Sequence, residues 1–255
     1  MIFMLCGTSD ARELAVRLSA SGRELLCSVV TDSAAKSLQE AGLPVRTGRL
    51  TAGEMAALLR EGGFRVVVDA SHPFAEEAHR NAMQAAKELG LPYIRFERAS
   101  LVYGDHPKLT VVAGYEEAAL EAKRRKGSVM LTTGSKTLHI FARHLIGDPE
   151  IRLVARMLPR RDNMEKCEEL GVEQKNIIAM QGPFTREMNE ALYRQYRTTV
   201  MVSKESGTTG AVDEKVDTAL QLGIDVILIS RPEIEFGTAF TDYEGVLAEV
   251  GRIFA

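Results

Sequence analysis

Residues Thr198 to Gly223 read TTVMVSKESGTTGAVDEKVDTALQLG, and no other stretch limits the fold as much. An apolar run, Val200-Met201-Val202, leads into a polar loop broken by glycine, Ser203-Lys204-Glu205-Ser206-Gly207-Thr208-Thr209-Gly210. Beyond it Val212, Val216, Ala219, Leu220 and Leu222 form an apolar stripe at helical spacing. The order is strand, loop, helix. Open α/β sheets bind ligands beyond the carboxyl ends of their strands, and this loop places a lysine and several hydroxyls there.

The same plan recurs along the chain. Strands are expected at Ile2 to Cys6, Leu25 to Thr31, Pro44 to Thr47, Arg65 to Ala70 and Pro92 to Glu97, with helical patterns between them. Ser9 or Asp10 suits the cap of the first helix, and Gly90 ends the fourth. Ala99 to Lys108 breaks the rhythm with Gly104, Asp105, His106 and Pro107, and reads as a linker. The alternation then restarts, with strands at Leu109 to Ala113, Val129 to Thr133, Ile151 to Met157, Asn176 to Met180, Thr199 to Val202 and Val226 to Ser230. A last helix spans about Tyr243 to Phe254. Strands alternating with helices imply βαβ units and parallel sheets. The expected class is α/β, with two Rossmann-like, doubly wound parallel-sheet domains facing a central cleft. The expected division is 1–98, a linker at 99–108, and 109–255. Whether the strand at Pro92 to Glu97 pairs within the first sheet or crosses to the second stays open.

Composition narrows the partners. A net charge of −3 gives no electrostatic footprint for nucleic acid or an anionic membrane. Cys6, Cys27 and Cys167 are scattered, without a CxxC pair, and the histidines include no HxxxH pair. No disulfide framework and no metal site is expected. No apolar run nears the roughly 20 residues of a membrane helix, and the N-terminus lacks signal-peptide features. The expectation is a cytoplasmic monomer.

The strand-end loops carry the chemistry. They are Gly7-Thr8-Ser9-Asp10, Thr31-Asp32-Ser33, Ser71-His72-Pro73-Phe74, Thr132-Thr133-Gly134-Ser135-Lys136, Met157-Leu158-Pro159, Gln181-Gly182-Pro183-Phe184 and Ser203-Lys204-Glu205-Ser206-Gly207. Helix N-termini at such loops favour anions, which suits a phosphorylated cofactor and a polycarboxylate substrate. Taken singly, each loop also reads as a capped turn. Gly7 alone remains of a GxGxxG fingerprint. Asp32 suits a ribose 2′-hydroxyl, while Ser33 and Lys36 suit a 2′-phosphate, so NAD and NADP stay open on this ground. His72 reads equally as a backbone-bonded structural residue or as a ligand contact. His79, in the following helix, reads as a surface residue. Lys136 and Lys204 follow buried strands directly and are candidate anion or proton partners.

These motifs, in order across nearly the whole chain, resemble the precorrin-6A and cobalt-precorrin-6A reductase family of corrin-ring construction. The matching stretches are Gly7-Thr8-Ser9-Asp10-Ala11, Val68 to Ala75, Pro92 to Arg98, Leu131 to Lys136, Arg156-Met157-Leu158-Pro159, Gln181 to Thr185, Ser203 to Gly207 and Arg231-Pro232. The resemblance implies two Rossmann-like domains, NADPH as hydride donor, and reduction of one carbon–carbon double bond in a corrinoid macrocycle bearing several carboxylates. On that basis Gly7, Thr8, Ser9, Thr31, Ser33, Ser71, His72, Pro73 and Phe74 are expected to line the cofactor. Thr133, Gly134, Ser135, Lys136, Gly182, Phe184, Ser206 and Gly207 are expected to serve the macrocycle, and the two groups can trade. Lys204 is the candidate for guiding a carboxylate or donating the proton. Another NAD(P)-dependent reductase, a nucleotide-sugar enzyme, or a two-lobed ligand carrier would share the architecture.

Overall fold

The structure is a computed structural model that describes residues 1–100, 105–205, 207 and 214–255. The chain divides into two compact units, Met1–Ala99 together with Pro232–Ala255, and Ser100–Arg231. The first run of elements is β1 (Ile2–Leu5), α1 (Ser9–Ala20), β2 (Leu25–Val29), α2 (Asp32–Glu40), β3 (Val45–Thr47), α3 (Ala52–Glu61), β4 (Val66–Asp69), α4 (Glu76–Leu89) and β5 (Tyr93–Phe96). The second is β6 (Leu109–Val112), α5 (Tyr115–Arg125), β7 (Gly127–Leu131), α6 (Leu138–Leu145), β8 (Ile151–Met157), α7 (Arg161–Glu169), β9 (Ile177–Ala179), α8 (Arg186–Gln195), β10 (Val200–Lys204), α9 (Glu214–Gln221) and β11 (Asp225–Ile229). Then come β12 (Ala239–Phe240) and α10 (Tyr243–Phe254).

The first sheet has the order β12-β5-β4-β1-β2-β3, parallel throughout. Its strands are short apolar runs because both faces are covered. Ile2, Met4, Val66 and Val68 pack under α1, α2 and α10. Phe3, Leu5 and Val67 pack under α3 and α4. Burying each such valine contributes about 1.5–3 kcal/mol, so neither face tolerates a polar residue mid-strand. Thr8 caps α1, its Oγ1 accepting from the Ala11 N–H at 3.3 Å, in place of Ser9 or Asp10. Thr51 and Glu54 form a reciprocal capping box on α3. Gly90 closes α4 at φ 64°, a left-handed conformation that glycine adopts without a Cβ clash.

The second sheet has the order β6-β11-β10-β7-β8-β9, again parallel. Met130, Met201, Val226 and Leu228 pack under α8 and α9. Val129, Leu131, Val200 and Val202 are buried as well, as are Ala118 and Ala122 of α5 and Phe141 of α6.

In each sheet the strand order reverses at a switch point, between β1 and β4 in the first and between β7 and β10 in the second. Such points are where doubly wound sheets hold ligands.

The expected assignment of 109–255 to the second unit needs correction. Residues 232–255 return to the first unit. There β12 pairs with β5 through the Arg95 N–H to Thr238 carbonyl and Glu97 N–H to Phe240 carbonyl bonds, both 2.9 Å. Val246 and Val250 of α10 join the core under β1. The strand at Pro92 to Glu97 therefore lies in the first sheet, between β4 and β12. A two-residue strand carries no periodicity, so the return left no mark in the sequence pattern.

Candidate functional site

At the first switch point the strand ends are tied to one another. Asp69, the last residue of β4, is fully buried and faces Arg95 across the β4–β5 register. Its Oδ1 accepts from Ser71 Oγ at 2.6 Å and from Arg95 Nη1 at 3.1 Å. Its Oδ2 lies 2.7 Å from His79 Nδ1 and accepts from Tyr93 Oη at 2.7 Å. Burial alone would push the Asp69 carboxyl up, but the His79 bond and the Arg95 charge outweigh it and hold it well below the ordinary range. Tyr93 is pushed far up by burial and by the Asp69 charge. His79 Nε2 faces the Pro73 carbonyl at 3.3 Å, and Phe236 of the returning segment packs edge-on against the imidazole and under the Arg95 guanidinium.

His79 is therefore a fully buried core residue, not the surface residue expected. The signal was present, since His79, Ala82 and Ala86 share one helix face and all are buried. Arg95 was also missed. An arginine between Ile94 and Phe96 in a buried strand, beside an aspartate at the end of its neighbour, points to a buried ion pair.

The other expected residues of this unit sit in capped turns. Gly7 has φ 148°, and an added Cβ would meet nothing within 4 Å. Ser9, Thr31 and Ser33 are exposed, and Thr31 caps α2. Asp10, which burial pushes up, is held low by its bonds to Arg98 and Thr8. Arg98 Nη2 donates to Asp10 Oδ1 at 2.6 Å. His72 Nδ1 accepts from the Phe74 N–H at 3.2 Å, so its ring closes the Ser71-His72-Pro73-Phe74 turn.

The second switch point is built differently. Thr133, 5% exposed, and Ser203, 1% exposed, have no hydrogen-bond partner for their hydroxyls among the described residues. Thr137 begins α6 without a side-chain cap bond, and its buried hydroxyl likewise has no partner. The two strand ends are joined, since Thr132 N–H donates to the Val202 carbonyl at 2.9 Å. Lys204 is pushed down to about 8, first by burial and then by the charges of Lys136 and Lys215. The charges of Lys136 and Lys215 thus reach Lys204, while Thr133 and Ser203 lie at the ends of the adjacent strands β7 and β10; Lys215 and Ser203 were not singled out for a ligand in the sequence.

Around this group, Ser135 Oγ donates to Asn163 Oδ1 at 2.5 Å. Gly134 takes φ 81° with open space beside it. Glu205 pairs with Arg231 and accepts from the Gly207 N–H at 2.9 Å, so the nearby acid is neutralised. Phe184 follows a cis Gly182–Pro183 bond and lies over the Arg156 guanidinium, 4.2 Å from it. Arg156 in turn donates to Asn189 Oδ1 at 2.8 Å. Ser206 lies outside the described residues. Among the described residues no group of three or more metal-binding side chains exists, and no helix is long and apolar enough to cross a membrane.

Residues 1–251 match the protein family described as Precorrin-6x reductase CbiJ/CobK. The chain belongs to that family. It is 55% identical over 247 residues to the cobalt-precorrin-6A reductase of Priestia megaterium, covering 97% of this chain and 96% of that one. It is 38% identical over 239 residues to the cobalt-precorrin-6A reductase of Methanothermobacter thermautotrophicus, covering 91% and 77%. The solved structure titled CobK precorrin-6A reductase superposes with a TM-score of 0.82 at 27% identity, over 100% of this chain and 97% of that one. As a precorrin-6x reductase family member the protein is an oxidoreductase enzyme of cobalamin biosynthesis, and its fold of two parallel α/β sheets is that of the family's solved structure.

Proposed function

We propose that this enzyme reduces one carbon–carbon double bond of cobalt-precorrin-6A with NADPH. The observation that carries the reading is the 55% identity, over almost the full length of both chains, to a relative named for the cobalt-bearing substrate. The solved structure named for precorrin-6A is more distant, at 27%.

The first unit's turns fit a dinucleotide. A glycine of positive φ with open space beside it precedes the N-terminus of α1 at a switch point. Asp10 would repel a phosphate there, but its charge is offset by Arg98. In this reading Gly7, Thr8, Ser9, Thr31, Ser33, Ser71, His72, Pro73 and Phe74 hold the cofactor. NADPH, when bound, supplies the hydride. The protein's work is to orient the reactants and exclude water.

Thr133, Gly134, Ser135, Lys136, Gly182, Phe184 and Gly207 serve the macrocycle. Lys204 guides a carboxylate or delivers the proton to the carbon next to the one reduced, and an amine whose pKa is near 8 suits either task.

The test is an anaerobic assay with cobalt-precorrin-6A and each nicotinamide. Loss of reduced-nicotinamide absorbance with NADPH, much slower with NADH, and a product heavier by two hydrogens are expected. An unchanged substrate mass with both donors overturns the reading.

A further inference from the structure

At the β3 end of the first sheet a charge is held in place without being neutralised. Arg46 of β3 is half-buried and faces Ser28 across the β2–β3 register. Its Nη1 donates to Ser28 Oγ and to the Gly48 carbonyl, both at 2.9 Å, and its Nη2 donates to the Thr47 carbonyl at 3.2 Å. The Gly48 N–H in turn donates to the Val29 carbonyl at 2.9 Å, so the guanidinium is pinned where β2 and β3 end. All of these acceptors are uncharged. Among the described residues Arg46 forms no ion pair, and its Nε makes no hydrogen bond. Glu54, held low first by the Thr51 amide, also feels the Arg46 charge, but its carboxylate accepts from the Thr51 N–H and hydroxyl, each at 2.8 Å. Arg49 differs, since it pairs with Glu77.

Tying a short edge strand to its neighbour needs a donor, not a charge. A guanidinium carries its donors in a planar fork that fits phosphate, and the bonds to Ser28, Thr47 and Gly48 leave Nε and the charge unused. In dinucleotide-binding sheets the end of the second strand faces the adenosine ribose, where an acid suits a free 2′-hydroxyl and an arginine accommodates a 2′-phosphate. Asp32 is exposed in the first turn of α2, whereas Arg46 is fixed beforehand, so contact with it costs little further side-chain ordering. We propose that Arg46 selects NADPH over NADH by receiving the 2′-phosphate. The proposal rests on the NADPH reading and deepens it. To the exposed Ser33 and Lys36 it adds a pre-positioned arginine from β3, a strand to which the sequence assigned no ligand contact.

Binding to the ligand-free protein reads the 2′-phosphate directly. NADPH and NADH are titrated by nicotinamide fluorescence, and adenosine 2′,5′-bisphosphate and adenosine 5′-monophosphate by calorimetry. Wild type is expected to bind the 2′-phosphorylated member of each pair at least about tenfold more tightly. Arg46→Gln keeps a donor for the strand and drops the charge. It should lose most of that preference by weakening NADPH and the bisphosphate, with NADH and the monophosphate within about twofold of wild type. Arg46→Lys keeps the charge without the fork and should fall between. Arg49→Ala removes a charge from the same loop and should keep the preference.

Equal weakening of both members of a pair in Arg46→Gln would give Arg46 a purely structural role and overturn the proposal. A wild type without a preference overturns it too, as does a preference lost as fully in Arg49→Ala. An enzyme that reduces cobalt-precorrin-6A equally well with either nicotinamide refutes selection by Arg46 and leaves the reductase reading intact. A binding preference that depends on Arg46, with no reduction by either donor, does the reverse.

Discussion

The two switch points share a strand order and are opposite in chemistry. Between β1 and β4, charges are matched inside the protein, with only Arg95 Nη2 buried and without a hydrogen-bond partner there among the described residues. Asp69 is shared by His79, Tyr93, Arg95 and Ser71, Asp10 is held by Arg98, and Thr8 is spent on a helix cap. Between β7 and β10, the Thr133 and Ser203 hydroxyls have no hydrogen-bond partner among the described residues, and burial with the charges of Lys136 and Lys215 lowers the Lys204 amine. The first arrangement fixes a backbone shape that stands without a ligand. The second keeps an amine near its titration point at a strand end. One fold thus separates a rigid cradle from a reactive edge, and mutations at the two should move stability and activity in opposite senses.

The largest effect belongs to Asp69→Ala. It removes one of the two carboxylates on buried Arg95, whose Nε also donates to Glu97 Oε2 at 2.7 Å, and it leaves His79 and Tyr93 without their shared acceptor; breaking a buried pair in this way costs about 3–5 kcal/mol. Chemical denaturation reads the loss, and a cost near zero would remove the idea that this network holds the first unit together. Its pH dependence has a definite sign. The folded carboxyl titrates below the ordinary range, so its contribution is complete above the unfolded pKa of about 4 and is lost as the pH falls below that. Wild type should lose stability in acid more steeply than the variant.

Lys204→Met should invert the pattern. Turnover is expected to fall at least tenfold, while the protein becomes more stable at neutral pH, since a buried, repelled cation is gone. Between about pH 8, the folded value, and about 10.4, the unfolded one, the unfolded chain binds more protons, so wild-type stability rises with pH. The variant should lack that slope. If Lys204 delivers the proton, wild-type turnover also declines as the pH rises through 8, where the amine loses it. Turnover within about twofold of wild type would refute the role.

Thr8→Ala is the smallest change. It removes the cap of α1 and should cost about 1 kcal/mol, read by chemical denaturation. A loss as large as that of Asp69→Ala would erase the difference between a single helix cap and the buried network.

Much of this was legible in the sequence. Val66-Val67-Val68 and Val200-Met201-Val202 announced strands covered on both faces, and the polar residues after them marked the edges. Lys204 and Lys136 stood out because each follows such a run. What stayed hidden depended on which strands become neighbours. Asp69 meets Arg95 only because β4 pairs with β5, and His79 reaches Asp69 only through the turn of α4. Ser203 looked like one more loop hydroxyl, since its burial without a partner among the described residues is a property of three dimensions. The boundary at 232 was invisible because β12 is two residues long and owes its place to the open edge of β5.

That return has a consequence for biosynthesis. The segment that completes the first sheet is translated after the whole of Ser100–Arg231. At about 5–20 residues per second the edge of β5 waits on the order of ten seconds on the ribosome, with the Arg95 and Glu97 amides unmatched and Phe236 not yet made. During that interval the edge of β5 is an open strand edge over a half-enclosed arginine, and only the last part of the chain closes it.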